Sequence, residues 1–176
     1  MPLSDTRGFV FDVDGTLVQR DGETLHPIPG AREVLDRIAA SGRPYAFFTN
    51  GSHLAPPTFA HELRTVGLPI DDDRMLTPLC SVQAYLSRVS GTPSVLAFAA
   101  DEARSYLRSV GMNLVDGEAA LAADAVFVAH TNSADFDRIE LAARAVIAGA
   151  KLHTGPSAAG TGRVVCDNGR PSERAT

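Results

Sequence analysis

The feature that most constrains the fold of this chain is a repeated alternation of short apolar segments with helical patterns. Residues 8–11 form an apolar, aromatic and β-branched run, typical of a strand buried on both faces. A helical pattern follows over 31–41, and a second apolar run occupies 45–49. Strands that alternate with helices pair in parallel, because each helix returns the chain to the same end of the sheet. The sequence therefore predicts an α/β fold built on a parallel sheet.

The alternation continues beyond a turn-rich stretch at 90–93, Ser-Gly-Thr-Pro, which is typical of a linker. The predicted elements on either side of it are a helix over 78–89, strands at 95–98, 125–128 and 151–154, and helices over 102–110 and 135–148. The last of these helices is predicted to carry Phe136, Ile139, Ala143 and Val146 on one face. We therefore expect one α/β segment over 1–90, a second over 91–154, and an irregular or disordered tail over 155–176, which is rich in Gly, Pro, Ser and Arg.

Charge and composition exclude several classes of function. The 176 residues carry a net charge of −5 with singly scattered arginines, so a nucleic-acid partner is not expected. No apolar run approaches the roughly 20 residues of a membrane helix, and the N-terminus lacks the pattern of an export signal. Cys80 and Cys166 lie far apart, which favours a reducing compartment over a disulfide framework. The sequence thus predicts a cytoplasmic protein without a membrane partner.

Two carboxylates lie directly after the first strand, at Asp12 and Asp14. Ligands in open α/β sheets bind at the carboxyl ends of the strands, where these side chains are expected. One carboxylate can bind a hard cation and attack an electrophile, while the other donates or accepts a proton. Gly15 permits a sharp turn, and the polar residues after it are predicted to form a loop. Because a lone Asp-x-Asp is more often a pair of Asx turns, the flanking residues decide the interpretation.

Those flanking residues resemble a known family. Residues 11–18, Phe-Asp-Val-Asp-Gly-Thr-Leu-Val, resemble the first motif of the haloacid dehalogenase superfamily of phosphohydrolases. Residues 47–52, Phe-Phe-Thr-Asn-Gly-Ser, resemble its second motif. The spacing between the motifs, Pro-Gly-Ala at 29–31 and the inserted α/β module are similar to subfamily IIA, whose members have a large inserted cap. The resemblance covers about residues 7–154 and implies a Rossmann-like parallel core with a cap over 91–154.

The resemblance also implies a mechanism and a set of site residues. In the family the first aspartate is phosphorylated, which makes Asp12 the nucleophile, and the second protonates the leaving alcohol, which makes Asp14 the general acid and base. Mg²⁺ would be held by Asp12 and by the backbone carbonyl of Asp14. Thr49 would hold the phosphate, with Asn50 and Gly51 beside it. The implied substrate is a small phosphorylated metabolite.

The chain departs from the family pattern beyond the cap. The family has a later lysine that pairs with the aspartyl-phosphate and an acidic Gly-Asp cluster that completes the Mg²⁺ shell. Lys151 is the only lysine and lies too early in the chain, while Asp167 and Glu173 are isolated acids. We therefore expect either an impaired phosphatase or a noncatalytic protein that binds phosphate or a partner. The first strand would lack a neighbour on one side, so self-association into a homo-oligomer is also expected.

Overall fold

The structure, a computed structural model, describes residues 5–22, 24–89, 91–131 and 134–155. The chain forms two compact units, the first within Met1–Thr49 and Pro56–Thr77 and the second within Asn50–Ala55 and Pro78–Thr176. Each unit carries a parallel sheet with helices, so the predicted α/β class is confirmed. None of the described helices is both long enough and apolar enough to cross a bilayer.

The first unit is built on a three-stranded parallel sheet in the order β1-β4-β5. Its elements, in chain order, are β1 Phe9–Asp12, β2 Val18–Asp21, β3 Thr24–Pro27, α1 Ala31–Ala40, β4 Tyr45–Phe48, α2 Pro56–Thr65, a short 3₁₀ helix Asp72–Arg74 and β5 Met75–Leu76. Strand β1 pairs with β4 so that Phe11 lies beside Phe47 and Asp12 beside Phe48. The carboxyl ends of these two strands therefore lie side by side.

The two faces of this sheet differ in burial. Phe47 is fully buried, and its ring stacks on Phe11 with 6.1 Å between the ring centroids. On the other face Val10 is 74% exposed. Within the described residues β1 pairs on one side only, at an edge of the sheet. An exposed apolar residue on an edge strand favours pairing with another chain, so the expected self-association stays a prediction.

The segment after the first acids is not the loop that its polar composition predicts. Strands β2 and β3 form an antiparallel hairpin in which Val18 pairs with Pro27 and Asp21 with Thr24. Gly22 directly follows β2 and adopts φ 58°, the positive value that the first residue of a two-residue hairpin turn requires. Only Val18 is fully buried in β2, so the period-2 pattern that would reveal the strand is missing from the sequence.

The second unit carries a four-stranded parallel sheet in the order β7-β6-β8-β9. Its elements are α3 Pro78–Val89, β6 Ser94–Phe98, α4 Asp101–Ser109, β7 Asn113–Leu114, a 3₁₀ helix Gly117–Ala122, β8 Ala125–Val128, α5 Phe136–Ala148 and β9 Lys151–Thr154. Strands β6 and β8 are almost wholly buried, as expected for the centre of a sheet covered on both faces.

The compact units divide the chain differently from the predicted boundary at 90–91. Helix α3 belongs to the second unit rather than the first. The reason is packing, because Leu79, Val82 and Leu86 are buried in one core cluster with Val95 and Phe127 of the second sheet. Residues 91–93 of the turn-rich stretch thus lie inside the second unit. The predicted tail lies outside the described residues from 156 onward, as do Cys166, Asp167 and Glu173.

A carboxylate ties the two central strands of the second sheet together. Asp124 Oδ2 accepts hydrogen bonds from Ser94 N at 2.7 Å and from Ser94 Oγ at 2.8 Å. These bonds favour the ionised form and lower the pKa of Asp124 from its ordinary value of 3.8. The two donors therefore stabilise the fold more when the carboxyl is charged.

We expect Asp124→Asn to lower the free energy of unfolding of the second unit by about 1 kcal/mol at pH 7, a modest loss because the side chain is exposed. The stabilisation is present above the ordinary pKa and is lost as pH falls through the lowered pKa of the folded state. Urea unfolding of both proteins at neutral and at acid pH measures the difference, with Glu118→Gln as an exposed control. A difference that is the same at both pH values would contradict this role.

Candidate active site

The two predicted acids lie at the carboxyl end of β1, one on each side of a buried residue. Asp12 is the last residue of β1, and Asp14 follows after Val13, which is only 3% exposed. Both acidic side chains are exposed. Because Val13 is anchored in the core, the residues that flank it have a fixed position at the end of the strand. The carboxylates are thus available to a ligand from solvent.

A tight turn fixes the backbone around these acids. The Val13 carbonyl accepts hydrogen bonds from Leu17 N at 2.9 Å and Val18 N at 3.2 Å, and Gly15 N donates to Val18 O at 2.7 Å. Gly15 adopts φ 81°, a conformation that residues with a Cβ rarely adopt. Leu17 and Val18 are buried and hold the far side of the turn. The turn that carries the two acids is therefore anchored in the core at both ends.

The structure brings Thr49 to Asp14. Thr49 directly follows β4 and is 1% exposed, and its N–H donates to the Leu76 carbonyl at 3.1 Å. Its hydroxyl Oγ1 donates to Asp14 Oδ2 at 3.4 Å. Asp12, Asp14 and Thr49 therefore share the carboxyl edge of one sheet, as parallel pairing of the two strands requires.

The predicted phosphate neighbours Asn50 and Gly51 belong to the second unit. The segment that contains them is tied there by two hydrogen bonds, from His130 N to Ser52 Oγ at 2.9 Å and from Ala55 N to Glu102 Oε1 at 3.1 Å. Of the five predicted site residues, the described contacts join Asp14 to Thr49, and Asp12 lies at the end of the strand that pairs with β4. The roles of Asn50 and Gly51 stay predictions that rest on the second motif.

Two residues near Asp14 are not predicted from the sequence. Arg20 lies on β2 and places Nε 3.9 Å from Asp14 Oδ1, while its Nη2 lies 3.6 Å from Oε2 of Glu62 on α2. Thus an arginine is placed between the second acid of the motif and an acid from a distant helix. Neither contact follows from a spacing rule, because both depend on the hairpin that the sequence did not predict.

The oxygen atoms at this edge are of the type that binds a hard cation, but they are few. Carboxylate and carbonyl oxygens are the ligands that Mg²⁺ prefers, and Mg²⁺ commonly keeps several waters and uses only one or two carboxylates beside a substrate phosphate. Asp12 and Asp14 supply such oxygens. In the part of the chain that the structure describes, no group of three or more His, Cys, Asp or Glu side chains could hold a metal. Lys151 lies on β9 of the second unit.

Comparison with known proteins gives a consistent result. A family model described as haloacid dehalogenase-like hydrolase matches residues 9–113. The chain is 30% identical to mouse chronophin over 118 residues, which are 64% of this chain and 39% of that protein. It is 32% identical to human glycerol-3-phosphate phosphatase over 102 residues, which are 54% of this chain and 30% of that protein. The chain thus spans less than half the length of these curated relatives.

Solved structures share the fold. A p-nitrophenyl phosphatase from Archaeoglobus fulgidus matches with a TM-score of 0.74 at 22% identity, over 92% of this chain and 60% of that one. A glycerol phosphate phosphatase from Mycobacterium tuberculosis, in complex with calcium, matches with a TM-score of 0.70 at 21% identity, over 85% of this chain and 42% of that one. At these identities the likeness establishes the fold.

Proposed function

The chain belongs to the haloacid dehalogenase-like hydrolase family, and we propose on this basis that it hydrolyses small phosphate monoesters, with Asp12 as the nucleophile. Family membership confirms the resemblance predicted from residues 11–18 and 47–52. The names of the relatives and structural neighbours support the substrate class, since they include phosphatases of glycerol 3-phosphate and of p-nitrophenyl phosphate.

One observation carries the proposal, which is the meeting of Asp14 and Thr49 beside the end of the strand that holds Asp12. The 3.4 Å contact from Thr49 Oγ1 to Asp14 Oδ2 joins the first motif to the second across neighbouring parallel strands. A nucleophile, a proton carrier and a hydroxyl donor are thus found at one sheet edge. This set supports phosphoryl transfer, which requires an attacking oxygen, a protonated leaving group and donors for the phosphate oxygens.

The proposed reaction has two steps. In the first, a carboxylate oxygen of Asp12 attacks phosphorus, the bond from phosphorus to the ester oxygen breaks, and Asp14 gives that oxygen its proton. In the second, Asp14 takes a proton from water, whose oxygen attacks the phosphorus of the acyl phosphate. The bond between phosphorus and Asp12 then breaks and releases inorganic phosphate. Both carboxyls return to their starting protonation states, so the enzyme is regenerated.

A bound Mg²⁺ would offset the repulsion between the Asp12 carboxylate and the negatively charged phosphate. The Asp12 carboxylate and the Asp14 backbone carbonyl would hold it, with water and substrate oxygens in the remaining positions. The Thr49 hydroxyl, held in place by the buried end of β4, is the proposed donor to a phosphate oxygen. The hydrogen bonds of the turn that carries the two acids hold the backbone at Asp14, so only side-chain torsions have to be set when substrate arrives.

The proposal is tested by phosphate release from p-nitrophenyl phosphate and from glycerol 3-phosphate with excess Mg²⁺. We expect release above the uncatalysed rate from both esters. A chain that binds inorganic phosphate but releases none from either ester supports the alternative function, a noncatalytic phosphate-binding protein. A chain that neither binds phosphate nor releases it refutes both.

The proposed site also predicts weak Mg²⁺ binding. Among the described residues only Asp12, the Asp14 carbonyl and water are assigned to the ion, and Mg²⁺ gives up its waters reluctantly. We therefore expect a dissociation constant above the micromolar range in titration calorimetry, and no binding by Asp12→Asn. Micromolar binding by the unaltered chain would mean that another ligand exists, with Asp167 the first residue to replace.

A further inference from the structure

We infer that Arg20 is a positioning residue that holds the Asp14 carboxylate in its reactive orientation, and that Glu62 anchors Arg20 for this purpose. The inference deepens the proposed function and rests on it. Arg20 reaches the acid from β2, and Glu62 reaches the arginine from α2, so three separate elements of the first unit meet at this point. No motif of the sequence contains either residue.

The contacts on Asp14 restrain both of its carboxylate oxygens. Oδ2 accepts from Thr49 Oγ1 at 3.4 Å, and Oδ1 lies 3.9 Å from Arg20 Nε. The Asp14 side chain is 52% exposed, so packing alone does not fix its torsions. Because proton transfer requires a donor–acceptor distance of about 2.6–3.2 Å, the direction in which this carboxyl points determines the rate. Because the single hydroxyl proton of Thr49 turns to a phosphate oxygen when substrate binds, the Arg20 contact on Oδ1 is the one that continues to set this direction.

Glu62 has a physical reason to retain Arg20. Its Oε2 is shielded from solvent and has no hydrogen-bond partner among the described residues. A cation lies near this oxygen, Arg20 Nη2 at 3.6 Å, and because the Glu62 side chain is 36% exposed their attraction is modest in energy. The guanidinium group is thus held by the shielded acid on one side and directed toward Asp14 on the other.

The same contacts contribute little to stability. Ion pairs between partly exposed side chains are typically worth about 0–1 kcal/mol, and these two lie beyond hydrogen-bond distance. Displacement of a catalytic group by about 1 Å can reduce the rate by roughly 10²-fold. Removal of Arg20 should therefore change the chemistry while leaving the thermal unfolding midpoint nearly unchanged. This contrast separates a positioning role from a structural one.

The two proposed steps depend on Asp14 in different ways, and this difference gives the test its readout. Nitrophenolate leaves with little help from an acid, whereas the alkoxide of glycerol needs a proton. Hydrolysis of phosphorylated Asp12 needs Asp14 as base for either ester. For p-nitrophenyl phosphate, Arg20→Gln should therefore leave kcat/KM nearly unchanged, lower kcat and cause the phosphoenzyme to accumulate. For glycerol 3-phosphate, kcat/KM itself should fall by roughly 10-fold, less than the 10²-fold to 10⁴-fold expected when the acid–base group is lost.

The experiment compares four variants of the full chain with both esters and measures acid-quenched phosphoenzyme and thermal unfolding for each. Arg20→Lys should recover part of the rate, because it keeps the charge but not the guanidinium fork. Glu62→Gln should act in the same direction as Arg20→Gln but more weakly. Arg37→Gln, which removes the same charge from the exposed end of α1, should match the unaltered chain.

The possible outcomes distinguish the positioning role of Arg20 from the proposed phosphatase function. If the unaltered chain is active, and Arg20→Gln shows the pattern described above with an unchanged unfolding midpoint, the positioning role is supported. An active chain in which Arg20→Gln and Arg37→Gln behave alike overturns that role and leaves the proposed function intact. Equal losses for both esters together with a lowered unfolding midpoint also overturn it, because they indicate a structural role. An unaltered chain with neither phosphoenzyme nor turnover overturns the proposed function and the role of Arg20 with it.

Discussion

Asp12→Asn is expected to reduce phosphate release to the uncatalysed rate while leaving the fold intact. The amide has nearly the shape of the carboxylate but is not a nucleophile at phosphorus. The substitution also removes the negative charge of a proposed Mg²⁺ ligand. Asp12 is exposed at the end of β1, so no buried contact is lost. Phosphate release under excess Mg²⁺ and the thermal unfolding midpoint should be measured on the same preparation.

Asp73→Asn is the matched control, because it makes the same change at another exposed aspartate of the first unit. We expect it to retain the rate of the unaltered chain. Residual turnover by Asp12→Asn above that of a blank would contradict the assignment of the nucleophile. Loss of turnover in both variants would point to net charge rather than to a specific carboxylate.

Asp14→Asn is expected to lower turnover by roughly 10²-fold to 10⁴-fold, the usual contribution of a positioned acid–base group. Its amide oxygen can still accept from Thr49 Oγ1, so the contact across the two strands is retained in kind. The nucleophile remains, and phosphorylation by p-nitrophenyl phosphate should continue while hydrolysis of the phosphoenzyme slows. Rapid-quench measurement of phosphoenzyme and released phosphate distinguishes these steps.

Asp21→Asn serves as the control for this variant, since Asp21 is an exposed acid at the end of β2. Equal turnover by Asp14→Asn and the unaltered chain would remove Asp14 from the mechanism. A variant that cannot be phosphorylated even by p-nitrophenyl phosphate would assign Asp14 a different role, such as binding of the substrate.

The regular elements of the fold were largely predictable because their apolar residues recur at the period of the structure they form. The strand at Ala125–Val128 and the helices at Ala31–Ala40 and Pro78–Val89 follow such patterns closely. No such pattern predicts the β2–β3 hairpin, since its residues are mostly exposed and its register depends on contacts outside the segment. The two-residue strand β7 is not predicted for the same reason.

Helix α5 shows the limit of periodicity as a guide to burial. The sequence places Phe136, Ile139, Ala143 and Val146 on one face, yet in the structure Phe136 is 89% exposed and Ala145 is the buried residue. Apolar residues occur on more than one side of this helix, so the pattern alone does not select the face that packs on the sheet. That choice is made by the neighbouring strands, which no local pattern describes.

The candidate site also contains some residues that the sequence predicts and others that it does not. Asp12, Asp14 and Thr49 were predictable because each lies at the end of an apolar strand, and parallel strands end at a common edge. Arg20 and Glu62 were not, because their approach to Asp14 depends on how the hairpin and α2 pack. The placement of Asn50 and Gly51 with the second unit depends on hydrogen bonds from distant residues.

The most direct test of phosphohydrolase chemistry at the end of β1 is to trap the covalent intermediate. The chain is mixed with p-nitrophenyl phosphate and Mg²⁺, quenched, and reduced with borohydride, which converts an aspartyl phosphate to homoserine, and peptides are then sequenced by mass spectrometry. The proposed mechanism predicts homoserine at position 12 in the unaltered chain and none in Asp12→Asn. Homoserine at another position, or phosphate release without any modified aspartate, would contradict it.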